Sequence, residues 1–184
     1  MTHMTQIPIS SLEDTLSFRS EAILDRFRGT YEVEESEAEL FFYETKKWLW
    51  LCAKAKADRA AGCLVLRLII DDQLLFIDEM WHNFILFTRP YASFCKHYLG
   101  TFIHHNPTPP KERLAQLSRV RSAEEDHRDL LAARQKQYEY IYDVLGADTL
   151  DSWYRVYGPR FTRAWFIDKR RLAETRSTNR PEKS

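Results

Sequence analysis

Glycine and cysteine are scarce in this 184-residue chain, and that scarcity excludes several classes of protein. The five glycines stand singly, so the glycine-rich loops that bind phosphates or dinucleotides are absent. The three cysteines, Cys52, Cys63 and Cys95, contain no C-x-x-C pair. An odd number of separated cysteines argues against a disulfide framework and fits a reducing compartment.

Long hydrophobic runs are also missing. The longest apolar segment, residues 63–70, is interrupted by Arg67 and is too short to cross a bilayer. The N-terminal sequence MTHMTQIPISSLEDT has no basic start followed by an apolar core, so it does not have the pattern of a signal peptide. We therefore expect a soluble, cytoplasmic protein.

Net charge is the third feature that the sequence lacks. Lysine and arginine total 27, and so do aspartate and glutamate, so no overall field attracts nucleic acid or an anionic membrane. A hydrophobic content of 44% is that of a folded protein, and 184 residues are enough for one domain with a sizeable core. The composition leaves a protein partner open and argues against nucleic-acid and membrane partners.

Apolar residues recur at helical spacing along most of the chain. This pattern predicts an all-α protein, a single compact bundle of six to eight helices spanning residues 1–168. Helices are predicted over Pro110–Val120 and from Ser122 to Leu145, and a later one is capped by Asp148. Residues 169–184, KRRLAETRSTNRPEKS, are polar, basic and proline-bearing, which predicts a disordered tail.

The longest predicted helix begins near Ser36 and continues to about Ala60. Ser36 and Glu39 have the spacing of a capping box, in which each side chain satisfies the other residue's backbone N–H. Cys52 and Cys63 have no polar companions and are predicted to be small core residues. A solvated face is predicted for the basic residues Lys46, Lys47, Lys54, Lys56 and Arg59.

Residues 63–70, CLVLRLII, are rich in branched side chains and could form a strand. A lone strand has no partner for its backbone groups, and no second convincing strand is present. We therefore favour a buried extended or helical connector.

The stretch from Asp71 to Pro107 combines apolar bulk with potential ligands, and it holds four of the six histidines. Asp71 or Asp72 can cap a helix that continues to about Thr88. Pro90 then breaks the chain into a second helix that ends at Gly100.

Four side chains of this stretch form a candidate site: Asp78, His82, Cys95 and His105. Asp78 and His82 are four residues apart, so they share one face of the first helix, and the second helix could deliver the thiol. One carboxylate, two imidazoles and a thiolate suit zinc, or iron if positions remain open. Supporting roles are predicted for Trp81, Tyr91 and His104.

Two other interpretations of these residues are open, and we favour the first of them over the metal site. In the first, Asp78 orients His82 within a buried polar cluster that fixes helix register, and the protein is an interaction or scaffold module. In the second, Cys95 is a nucleophile with a histidine as its base, although a mid-helix position does not lower the pKa of a thiol. Metal-ligand spacing here is irregular, and no HExxH motif is present.

The spacing of rare residue types in this block resembles the glycine-rich domain-containing protein-like family. The resemblance covers about 35 residues, and family members often carry a second histidine where this chain has Phe84. It implies a helical, intracellular domain, linked in plants to stress and development, and brings no established biochemical activity. The positions that carry it are Asp78, Trp81, His82, Tyr91, Cys95, Gly100 and His105.

Overall fold

Helices make up the regular structure, as the apolar periodicity predicts. The computed structural model of the chain describes residues 8–65, 68–105 and 123–178. In these ranges the chain forms eight helices and no strand, which confirms the all-α class. Their bounds are α1 Leu12–Ser17, α2 Glu21–Thr30, α3 Glu35–Ala60, α4 Leu75–Leu86, α5 Thr88–Phe94, α6 Ala123–Leu145, α7 Ala147–Asp151 and α8 Arg163–Thr178.

Three shorter pieces extend these helices. A 3₁₀ turn, Asp72–Leu74, leads into α4, and a π-helical turn, Cys95–Leu99, continues α5. After α7 the chain continues through a π-helical segment, Ser152–Tyr157, to Gly158–Arg160. None of the described helices is both long and apolar enough to cross a membrane.

Helix α3 is the central element, and α1, α2 and α4 pack against it. Its predicted end at Ala60 is confirmed, but the predicted capping box is wrong. Glu34 is the N-cap, and its partner in the box is Glu37, so the helix begins earlier than the Ser36–Glu39 pair requires. Two pairs in this segment, Glu34 with Glu37 and Ser36 with Glu39, have the three-residue spacing of a capping box. Spacing alone therefore does not determine where the helix begins.

Aromatic side chains from five helices and their connections fill the core. Phe41 of α3 makes edge-to-face contacts with Phe27 of α2 and with Phe161, at centroid distances of 5.7 and 4.6 Å. Trp48 of α3 lies 5.9 Å from Trp153, and both indoles are fully buried. These contacts tie the C-terminal segments to the N-terminal half of the chain.

Lys46 is part of this core, so its predicted place on a solvated face is wrong. Its side chain is 1% exposed and reaches the end of α1, where Nζ donates hydrogen bonds to the carbonyl oxygens of Leu16 and Phe18 at 2.7 and 2.8 Å. The aliphatic stem of lysine is long enough to cross an apolar layer and deliver a charge to backbone acceptors. Lys46 therefore joins α3 to α1.

The branched segment after α3 has no regular structure in residues 63–65 and 68–70, which agrees with a connector. The amide of Gln137 in α6 binds both backbone groups of Ile69: Gln137 Oε1 accepts from the N–H at 2.8 Å, and Nε2 donates to the carbonyl at 3.0 Å. The Gln137 side chain thus satisfies the two backbone groups of Ile69, as a neighbouring strand would in a sheet. The predicted burial of this connector is only partial, since Leu64 is 97% exposed.

The three cysteines differ in exposure, and the predicted core position of Cys63 is wrong because the connector lies at the surface. Burial raises the pKa of Cys52 to about 12 and also raises the pKa of Cys95.

We expect a thiol-specific chromogenic reagent at pH 8 to label one thiol rapidly in the native protein and three after unfolding, because only thiolate reacts. A Cys63→Ser variant should lose the rapid phase; rapid native labelling of all three would contradict this exposure pattern.

The two helices of the central stretch are close to their predicted bounds. Asp71 caps the turn before α4 by accepting a hydrogen bond from the Gln73 N–H, as predicted. Helix α4 ends at Leu86, two residues before the predicted Thr88, and Pro90 lies in the first turn of α5. Gly100 has a φ of 62°, a left-handed conformation that suits glycine and ends the helix.

Near the C-terminus, one helix start differs from its prediction. Gly146 precedes α7, and Asp148 lies inside its first turn rather than at the cap. Further on, Gly158 approaches the 3₁₀ turn so closely that a Cβ there would lie 2.9 Å from the carbonyl oxygen of Gln73. A glycine is therefore required at this contact.

Some predicted segments fall partly or wholly outside the described residues. The tail predicted for residues 169–184 overlaps the end of α8, and its last part, residues 179–184, lies outside them. The helix predicted over Pro110–Val120 lies outside them as well, as does the Ser122 start of the helix that is described from Ala123. The division into a domain of residues 1–168 and a tail stays a prediction.

Candidate functional site

Asp78, His82 and His105 converge at one point of the surface. Two of them lie one turn apart on α4, and His105 comes from the segment after α5. Asp78 Oδ1 lies 2.8 Å from His105 Nε2, and Asp78 Oδ2 lies 3.6 Å from His82 Nδ1. The two imidazole centroids are 4.3 Å apart, and one potential ligand atom from each residue lies within 4.8 Å of the other two. We call these three residues the Asp–His cluster.

The Asp–His cluster is buried on one side and open on the other. The His105 side chain is 15% exposed and that of Asp78 is 22% exposed, whereas the His82 side chain is 50% exposed. Asp78 contacts both imidazoles and uses one carboxylate oxygen toward each. The cluster is therefore accessible from solvent on the His82 side.

A chain of buried hydrogen bonds fixes the backbone that carries His105. Trp81 Nε1 donates to the Tyr91 hydroxyl at 3.0 Å, and that hydroxyl donates to the carbonyl of Ile103 at 2.5 Å. The Trp81 indole also contacts the His105 ring edge to face at 4.5 Å. Trp81 and Tyr91 thus hold residues 103–105 against α4, and their supporting role in the site stays a prediction.

The structure does not bring Cys95 into the Asp–His cluster. Its side chain is fully buried in the π-helical turn, where it has hydrogen-bonding contacts with the backbone of Ile103 and the hydroxyl of Tyr91. Burial raises the pKa of this thiol, which opposes both metal ligation and nucleophilic attack because both require the thiolate. The predicted four-residue site therefore separates into a cluster of three and a buried thiol behind Tyr91.

His104 also lies apart from the cluster. It is exposed, and its ring packs against Phe102 at a centroid distance of 4.7 Å. His105 contacts Asp78 and Trp81 of α4, whereas His104 contacts Phe102. Because His104 lies outside the cluster, it provides a matched control for His105, and its supporting role stays a prediction.

A polar cleft of about 480 Å³ adjoins the cluster and shares Asp78 with it. Two arginines from distant helices reach this cleft: Arg134 pairs with Asp71 at 3.3 Å, and Arg163 pairs with Asp72 at 3.7 Å. Sequence reasoning missed both arginines, because no local spacing links α6 and α8 to the turn before α4. The cleft is lined by Ile70, Asp71, Asp72, Gln73, Leu75, Asp78, Arg134 and Arg163.

A protein-family comparison corrects the resemblance drawn from the central stretch. The family model described as UCP032817-like matches residues 20–119, or 100 of the 184 residues. The assignment to the glycine-rich domain-containing protein-like family is therefore wrong: seven positions in a short block are too few to distinguish one family from another. No curated protein and no solved structure is significantly similar to this chain.

Proposed function

Since this chain belongs to the UCP032817-like family, whose description names no reaction, we propose a function from the site itself: Asp78, His82 and His105 bind one divalent transition-metal ion, zinc or iron. The observation that carries the proposal is the convergence of these three donors, two from one helical face and one from a separate segment. Two imidazoles and one carboxylate are a ligand set that both metals accept.

The distances need only small side-chain movements to accommodate an ion. Zinc lies about 2.1 Å from nitrogen and oxygen ligands, so two ligands of a tetrahedral ion are about 3.4 Å apart. The present separations of 2.8 Å and 3.6 Å bracket that value. Half-exposed His82 has the most freedom to rotate, and the indole packed on His105 and the hydrogen bonds behind it supply the fixed side of the site.

An ion held by three protein ligands keeps at least one position for water or another ligand. On zinc that position would generate hydroxide near neutral pH or polarise a carbonyl or phosphoryl oxygen. On iron the same two-histidine, one-carboxylate set would leave positions for oxygen chemistry. The exposed His82 side gives a small molecule access to that position.

A second function is favoured by the direct contact of Asp78 with His105. At 2.8 Å this hydrogen bond satisfies both groups without an ion, so the cluster could serve to fix α4 against residues 103–105. In that case the protein is an interaction or scaffold module with a protein partner, and Cys95 belongs to its packed interior. A cytoplasmic location remains an expectation under both functions.

Zinc titration of the full-length, untagged protein separates the two. We expect one zinc per chain, measured by competition with a chromophoric chelator, and at least about 100-fold weaker affinity in His82→Ala, His105→Ala and Asp78→Ala, because each removes one of three ligands. His104→Ala and Cys95→Ala should leave zinc affinity unchanged.

The same variants also show what to expect if the Asp–His cluster binds no metal. If the chain binds no zinc or iron, and His105→Ala merely lowers the melting temperature, the cluster is architectural. Equal loss of zinc in His104→Ala and His105→Ala would also contradict the proposed ligand set, because His104 lies outside the cluster. Tyr91→Phe serves as a structural reference, since it removes the hydrogen bonds with Trp81 and Ile103 behind the site and no ligand.

A further inference from the structure

The cleft beside Asp78 is formed by residues far apart in sequence. The turn before α4 supplies Asp71 and Asp72, and the two arginines approach from α6 and α8. Each arginine pairs with a different aspartate, Arg134 with Asp71 and Arg163 with Asp72. These ion pairs place two guanidinium groups at the opening of the same cleft. A guanidinium binds oxyanions through parallel N–H donors, which a lysine does not offer.

The charge of the cleft depends on the ion proposed above. Without the ion, the cleft carries three carboxylates, Asp71, Asp72 and Asp78, against two arginines, a net charge of −1. A divalent ion held by Asp78 and two neutral histidines changes this to +1. An anion is therefore repelled from the empty site and attracted to the loaded one.

Resting on the proposed function, we infer that the metal-loaded cleft binds a small oxyanion, the carboxylate or the tetrahedral phosphate-like group of a substrate, on Arg134 and Arg163. Asp78 belongs to both the cleft and the Asp–His cluster, so an anion seated on the arginines lies beside the ion. The open metal position and the two guanidinium groups then contact the same small molecule.

The two ion pairs differ in how readily they release an arginine. Arg163 and Asp72 have side-chain exposures of 72% and 93% and a separation of 3.7 Å, so water screens this pair and its energy is small. Asp71 is 20% exposed, and its contact with Arg134 is shorter, 3.3 Å. Arg163 is therefore the guanidinium that moves to an incoming anion, and Arg134 is the one held in place.

Sulfate and acetate titrations of the zinc-loaded, full-length protein test this inference. The ionic strength is kept constant with chloride. We expect each added anion to raise the melting temperature, and the anion that binds more tightly to raise it more. A larger effect of sulfate would indicate a tetrahedral ligand group, and a larger effect of acetate a planar carboxylate. Arg134→Gln and Arg163→Gln should each weaken the anion by about tenfold, the equivalent of one lost charge-assisted hydrogen bond of about 1.4 kcal/mol. Arg155→Gln, an exposed arginine outside the cleft, should change nothing.

A second readout does not depend on the melting temperature. Coupling between two ligands is reciprocal, so a saturating anion should tighten zinc by the same factor by which zinc tightens the anion. Arg163→Lys keeps the charge and removes the forked donors; it should fold normally, retain zinc affinity and recover only part of the anion binding.

The outcomes separate this inference from the function on which it rests. Unchanged zinc affinity with about tenfold weaker anion binding in both glutamine variants supports the cleft. Zinc binding with anion affinity equal in wild type and both variants overturns the cleft and leaves the metal site intact. Equal anion affinity with and without zinc overturns the charge argument, and absence of zinc binding overturns the proposed function together with the inference.

Discussion

Replacing Trp153 by alanine should lower the free energy of unfolding by about 4–5 kcal/mol, the largest loss we expect from a single substitution in this protein. Removing a fully buried indole costs about 3–5 kcal/mol through lost transfer energy and the cavity left behind. Its Nε1 also donates to Glu44 Oε2 at 2.7 Å, and Glu44 is itself buried, so the carboxylate would lose a partner where water does not easily replace it. Denaturant unfolding monitored by circular dichroism measures the loss.

Two companion substitutions divide this effect into its parts. Trp153→Phe keeps most of the ring volume and removes the indole N–H, so it should cost about 1–3 kcal/mol. Arg155→Ala, two residues away and exposed, should stay within about 0.5 kcal/mol of wild type. A loss below about 2 kcal/mol in Trp153→Ala would mean that this indole is not buried against α3.

The second large effect concerns Lys46. Replacing it by alanine should cost about 2–3 kcal/mol, because two charge-assisted hydrogen bonds to the end of α1 and the packing of the aliphatic stem are lost together. Arg19 Nη1 also donates to the Leu16 carbonyl, which limits the loss. Lys46→Met preserves the stem and isolates the contribution of the amine.

The stability contributed by this lysine should depend on pH with a defined sign. Burial, with a smaller contribution from Arg19, lowers the pKa of Lys46 from 10.5 to about 8. Between these values the unfolded chain binds the proton and the folded chain does not, so stability rises with pH through this window. This added stability is complete above a pH of about 10.5 and is lost as the pH falls through about 8, where the contribution of the protonated amine alone remains.

The difference in unfolding free energy between wild type and Lys46→Met should therefore be larger at pH 10 than at pH 7. Comparing the two proteins at each pH cancels the titration of all other groups, which they share. A difference independent of pH would show that the amine is solvated in the folded protein, contrary to its position beneath α1.

Local rules predicted the helices better than the burial of individual side chains. The end of α3 at Ala60 and the left-handed Gly100 follow from periodicity and from glycine's freedom at positive φ. Lys46 was misplaced because a charged residue on an amphipathic helix is normally assigned to solvent, and only tertiary structure shows that α1 offers it backbone acceptors. Cys63 was misplaced because its apolar neighbours suggested a buried segment, whereas the connector lies at the surface.

One part of the candidate site follows from local spacing, and the other part depends on the tertiary structure. The spacing of Asp78 and His82 was sufficient to place both on one face of α4, since four residues make about one helical turn. His105 contacts that face of α4 because residues 103–105 are held by the Tyr91 hydroxyl. Cys95 lies outside the Asp–His cluster because the segment that continues α5 buries its side chain in the core. Neither is encoded in local spacing, and the same holds for Arg134 in the adjoining cleft.

The close approach at Gly158 makes one wall of the cleft depend on a position outside it. Any side chain there would act as a wedge against Gln73, which lines the cleft and lies in the turn from which α4 starts. Because Asp78 is in the first turn of that helix, a shift of Gln73 would displace the carboxylate that contacts both imidazoles. A substitution at Gly158 would thus disturb the site without changing any of the residues that form it.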